Sequence, residues 1–243
     1  MHPTADTPPL IISRGLGRRV MRGVGRLMLN GSMIEVKGKL EHVLWLGGSP
    51  CAGKSAVSEV LARRFDLDVY HVDEAFDSHV RGLDPAQQPA LAAWCASSWE
   101  QRWMRPPDDL LRDVIACYGE HFALILKDIL MTPGRKLLLV EGAALLPKRV
   151  AGLLPKRGHA LWMIPSADFQ REHYSKRPWV RGVVEQCRHP EAAFGNWMER
   201  DARFAEWVEA EASALNLQVL KVGGRQTVEE NAAAVAAHYQ LRG

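Results

Sequence analysis

The sequence predicts an α/β fold: a doubly wound, five-stranded parallel sheet with helices on both faces. Three observations predict it. Short apolar runs alternate with helix-patterned segments, the strand-like runs are mostly apolar, and glycines or acids stand where several of them end.

The first strand is His42-Val43-Leu44-Trp45-Leu46, and a helix-patterned stretch from Lys54 to about Phe65 follows a short loop. Leu67 to Val72 reads as the second strand and ends on Asp73-Glu74. Pro85 to Leu130 is helical in pattern. Within it Pro89–Met104 carries Trp94, Trp99 and Trp103, and the Arg105-Pro106-Pro107 break precedes a second helix starting near Asp108. Thr132-Pro133-Gly134 is a turn, and Lys136–Val140 is the third strand, ending in Glu141-Gly142. A short helix near Lys148–Leu154 leads to the fourth strand, Ala160–Ile164. Ser166 N-caps a helix through about Lys176, with Asp168 in its first turn. Pro178, Gly182 and Pro190 make Arg177–Pro190 a loop or broken helix, and Glu191–Ala214 is helical again. Leu217–Val222 is the fifth strand, Gly223-Gly224 a turn, and Thr227-Val228-Glu229-Glu230 a capping box for the last helix.

At 243 residues, 47% hydrophobic and 24% charged, the chain suits one large soluble domain, taken here as residues 40–243. No apolar run reaches the length of a membrane span. The four cysteines are scattered without CxxC pairs, which points to a reducing, cytoplasmic setting. The net charge of +3 is unevenly spread. Residues 1–39 hold seven Lys/Arg against two acids, and the 24 basic and 26 acidic residues after them leave a nearly neutral body. The basic segment 1–39 reads as a disordered, solvated arm, or as sequence upstream of a start at Met28 or Met33. Contact with nucleic acid, anionic lipid or an import receptor is the rival reading of the arm. The neutral body speaks against nucleic acid as a partner.

Ligands of such sheets bind beyond the carboxyl ends of the strands. The stations there are Gly48–Ser55, Asp73-Glu74, Glu141-Gly142, Pro165-Ser166 and Gly223–Arg225. The first is the most informative. Gly48-Ser49-Pro50-Cys51-Ala52-Gly53-Lys54-Ser55 fits the phosphate-binding pattern G-x-x-x-x-G-K-[ST], in the strand–loop–helix setting that the pattern requires. It predicts binding of a nucleoside triphosphate. Lys54 would reach the β- and γ-phosphates, and the Ser55 hydroxyl would ligate Mg²⁺.

Asp73 would orient and deprotonate an acceptor hydroxyl or hold Mg²⁺ through water, with Glu74 and Asp77 as competitors. Glu141 is either a second metal-side carboxylate or a solvated strand-end acid. Gly142 beside it suggests close backbone approach to something. Segment 171–203 carries seven basic residues among five acids, and Arg177 and Arg181 flank the Pro178-Trp179 break as lid candidates for the transferring group. The three tryptophans at 94, 99 and 103 read as core packing before an acceptor pocket, and Cys51 as a small tolerated side chain.

Together these residues resemble the small P-loop kinases, the shikimate, gluconate and nucleoside-monophosphate kinase group of P-loop NTPases. The resemblance spans roughly residues 40–240 and rests on Gly48–Ser55, Asp73, Glu141-Gly142, the Arg-rich segment and the strand–turn–helix at 217–240. It implies a sheet order of 2-3-1-4-5, a helical acceptor region at about 78–130 and a lid at about 177–190. It also implies that the turn carrying Arg225 packs on adenine, and that ATP and Mg²⁺ serve phosphoryl transfer to a small-molecule acceptor. The glycine-rich acceptor motif of shikimate kinases is absent. The alternative function is a nucleotide-gated switch with no small-molecule acceptor. No N-K-x-D guanine motif occurs.

Overall fold

The computed structural model describes residues 33–134 and 136–242, so most of the basic arm, residues 1–32, lies outside the described residues. Its described end, Met33–Lys39, is helix α1. The sheet consists of β1 (Val43–Gly48), β2 (Asp68–His71), β3 (Leu138–Glu141), β4 (Ala160–Pro165) and β5 (Gln218–Val222). It is parallel throughout, with order β2-β3-β1-β4-β5. This is the predicted class and the predicted strand order.

Alternation along the strands divides the core. Val43 and Trp45 of β1, Leu138 and Val140 of β3, and Trp162 and Ile164 of β4 enter one layer. Leu44, Leu46, Leu139, Leu161 and Met163 enter the other. Successive side chains point to opposite faces, so a strand covered on both sides must be apolar at every position. The second layer is closed by α2 (Lys54–Phe65) and α11 (Val228–Tyr239), which pack together. The first lies under α6 (Pro107–Met131) and α10 (Pro190–Ala214). Each of these two starts on a proline, whose missing N–H costs nothing in a first turn.

Two elements depart from the expectation. The second strand stops at His71, and Val72–Arg81 is helix α3, so Asp73 and Glu74 sit in a first helical turn. The Trp-rich stretch is two helices, α4 (Pro89–Ala96) and α5 (Trp99–Trp103). Ser98 and Gln101 form a complete capping box between them, and this restarts the helix after the Ser97-Ser98 break. The 177–190 segment contains helix α9, Pro178–Val184. Between these lie α7 (Pro147–Ala151) and α8 (Ala167–Ser175), the latter capped by Ser166 Oγ accepting from the Phe169 N–H. The capping box at Thr227 and Glu230 is formed with both hydrogen bonds. No helix among the described residues is long and apolar enough to cross a membrane.

Candidate functional site

The loop between β1 and α2 is held from beneath by backbone constraints that only its own residues satisfy. Gly48 has φ +130, and a Cβ there would lie 2.0 Å from the Met163 carbonyl oxygen, so only glycine fits. The Ser49 N–H donates to Met163 O at 3.2 Å, and the Ser49 hydroxyl to Asp201 O at 3.3 Å. Gln170 of α8, itself buried, donates its amide to Pro50 O at 3.0 Å. Gly53 is the left-handed N-cap of α2 and supplies no side-chain cap, which leaves the first-turn N–H groups open toward the loop. Open amides at a helix N-terminus form a site for an anion.

Lys54 is buried and folds back to donate from Nζ to Ser49 O at 2.9 Å, spanning the loop. Burial lowers its pKa, while the charges of Glu141 and Asp73 work to raise it. Glu141 stands opposite Leu46 in β1 and His71 in β2, at the carboxyl edge of the sheet. Its Oε1 takes a bond from the Ser55 hydroxyl at 3.0 Å and lies 2.8 Å from His71 Nδ1. A carboxylate only accepts, so Nδ1 carries the proton in this arrangement. That bond to Glu141 raises the pKa of His71 against the lowering effect of burial.

Asp73 is exposed at the mouth of this edge, in the first turn of α3. Desolvation of its inner side, reinforced by the Glu141 charge and opposed by Lys54, pushes its carboxyl up to about 6. Glu74 and Asp77 are both exposed. The close approach at Gly142 is to Val72: a Cβ would lie 2.5 Å from the Val72 side chain, so the glycine serves the packing of α3 on the strand end.

Arg177 is the N-cap residue of α9, half-buried, with its guanidinium over the rings of Tyr174 and Trp179 at 5.4 and 5.9 Å. Its charge reaches Cys51, Lys54 and Asp73. Arg181 is one turn on, 82% exposed, and its Nε pairs with Glu185 at 2.6 Å. Arg225 is exposed in the turn after β5, where the neighbouring Gly224 lies against the Phe169 ring. Burial pushes the Cys51 thiol up to about 11, which keeps it protonated and unreactive at neutral pH.

Two participants are absent from the sequence reading. His71 joins the site through strand register, and nothing local in the sequence signals it. Asp201 lies beneath the loop, with its Oδ1 2.5 Å from Arg200 Nε, and both residues are almost fully buried. Trp103 stacks on Trp197 at 4.3 Å beside this pair, and the Arg200 guanidinium lies 5.0 Å over the Trp103 ring. Trp94 and Trp103 are thus core residues, as the spacing of the tryptophans suggested.

No family model and no curated protein matches the chain. Solved structures do resemble it. The shikimate kinase of Aquifex aeolicus is 16% identical, with 82% of this chain and 96% of that one covered and a TM-score of 0.41. A putative kinase from Chloroflexus aurantiacus is 13% identical, with 81% and 97% covered and a TM-score of 0.34.

Proposed function

We propose that the protein transfers the terminal phosphoryl group of ATP to a small-molecule acceptor. One observation carries this reading: a glycine-shaped loop, the open N-terminus of α2 and buried Lys54 adjoin a strand edge bearing two carboxylates. Loop amides and Lys54 would bind the triphosphate. The donor set of the Ser55 hydroxyl and the Glu141 and Asp73 carboxylates is hard oxygen, which fits Mg²⁺. Among the described residues, no cluster of three His, Cys, Asp or Glu could hold a metal alone. This suits an ion that is held partly by phosphate oxygens. When bound, Mg²⁺ would neutralise charge on the phosphates.

The chain's own residues supply the rest. Asp73, with a carboxyl near 6, would accept the proton of an acceptor hydroxyl at neutral pH. His71 would hold Glu141 in place through the 2.8 Å contact. Arg177, stacked on two rings, would meet charge on the transferring group from the lid side. The helices α3 to α6 would receive the acceptor, and the turn at Arg225 the base. The described cysteines are all free, which supports a reducing, cytoplasmic compartment.

The test is a metabolite screen read by coupled ADP release with Mg²⁺ and ATP. At least one acceptor should stimulate release in the native chain and none in Lys54→Ala. Tight ATP binding with no stimulation by any acceptor would favour the nucleotide switch instead.

A further inference from the structure

Away from the phosphate loop, α4, α5 and α6 enclose a cavity of about 120 Å³. Its lining includes Ala90, Ala93 and Trp94 of α4, Arg102 of α5, and Asp113 and Cys117 of α6. That volume holds several waters, or a small organic acid. Most of its polar groups are committed. Ser97 Oγ donates to Ala93 O at 2.7 Å, Cys117 Sγ to Ala90 O at 3.3 Å, and Asp113 is paired with Arg105.

Arg102 is different. It is 4% exposed, and its Nε and Nη1 have no hydrogen-bond partner, while Nη2 makes only a 3.5 Å contact to Cys95 O. The guanidinium is fixed between two indoles, 4.9 Å from the Trp94 ring and 4.5 Å from the Trp99 ring. Stacking satisfies the faces of the cation and leaves its in-plane N–H donors unmet. A buried guanidinium with no carboxylate partner is costly, and its rigid fork matches a carboxylate that arrives from outside.

We propose that this cavity, which lies within the helices given above to the acceptor and away from the phosphate loop, binds a small molecule through a carboxylate seated on Arg102, an occupancy that does not depend on phosphoryl transfer. The walls of alanine and indole take an apolar body of a few carbons. Arg105 and Asp113 both line the cavity and cancel each other's charge, which leaves Arg102 as the uncompensated cation of the lining, so a monocarboxylate matches it better than a dianion such as phosphate.

The test uses the full ¹⁵N-labelled chain and the side-chain Nε–H signals of arginine, with that of Arg102 identified by its loss in Arg102→Lys. Sodium propionate, phosphate and chloride are titrated at matched ionic strength. The proposal expects a saturable shift of the Arg102 signal with propionate, a weaker one with phosphate and none with chloride. Ala93→Leu narrows the exposed side of the cavity without touching Arg102, and should weaken propionate by roughly tenfold while the unfolding midpoint stays in place. An equal linear drift with all three salts would overturn the site. Saturation by phosphate alone would overturn the assignment to a carboxylate, and undiminished propionate binding in Ala93→Leu would overturn the location.

Discussion

At the N-terminal end of α3, Asp73 shares an open strand edge with Lys54, His71 and Glu141; at the C-terminal end of the same helix, His79 is locked into a closed chain of partners. In that chain His79 Nδ1 lies 2.9 Å from His121 Nε2, His79 Nε2 lies 2.8 Å from Asp128 Oδ2, and the Tyr70 hydroxyl donates to that same oxygen at 2.8 Å. The Phe76 ring meets His121 edge-on at 5.2 Å. The lesson lies in what each end leaves open. The relay uses its polar atoms on one another and fixes α3 on α6. The edge gathers two acids beside a buried lysine and an uncapped helix terminus, groups of the kind that receive an anion and a cation.

The largest effect should come from the open end. Asp73→Asn keeps the size of the side chain and removes the base, so kcat in the stimulated ADP-release assay should fall by roughly 10²–10⁴ with ATP binding retained. Unchanged kcat would put the proton elsewhere and erase the contrast between the two ends.

The closed end should show itself in stability. Burial pushes His121 down to about 3 from its usual 6.5, so the folded state favours the neutral ring. The unfolded chain takes up the proton first as pH falls. The stabilisation is therefore complete above about 6.5 and is lost progressively toward 3, amounting to on the order of 2 kcal/mol by pH 5. Asp73 and His71, whose pKa values are raised, gain stability over the same interval, so denaturant unfolding at pH 7 and pH 5 is compared between the native chain and His121→Gln. The native chain should lose more stability than the variant between the two values, and the same change in both would contradict the relay's role.

The smallest effect separates two arginines one turn apart. Arg177→Ala should lower kcat/KM by roughly tenfold to a hundredfold, since its charge faces the loop. Arg181→Ala should change neither activity nor unfolding midpoint, because an exposed i,i+4 pair with Glu185 contributes little. The reverse ranking would mean that the lid presents its other face.

Much of this was legible in the chain. Uninterrupted apolar strands, the Gly48–Ser55 pattern and the caps at Ser166 and Thr227 depend on neighbours in sequence, and each stands where the residues placed it. Helix α3 was obscured because the strand-like stretch Leu67–Val72 passes into it with no glycine or proline to mark the change. The division of α4 from α5 was written in Ser98 and Gln101, a capping box hidden among tryptophans. What sequence could not supply was register. His71 meets Glu141 only because β2 and β3 pair that way, and Asp201 meets Ser49 across 152 residues of chain. The positions of the carboxylates were readable; their partners depend on how the sheet assembles.

The central claim is that main-chain donors around Gly48–Ser55 and the Lys54 ammonium grip a polyphosphate. Isothermal calorimetry of the native chain with ATP and Mg²⁺, beside Gly48→Ala, tests it most directly. The account predicts saturable one-site heats for the native chain and their loss in the variant, whose new methyl would collide with Met163 O. Absence of ATP heats in the native chain, or equal heats in both, would contradict it.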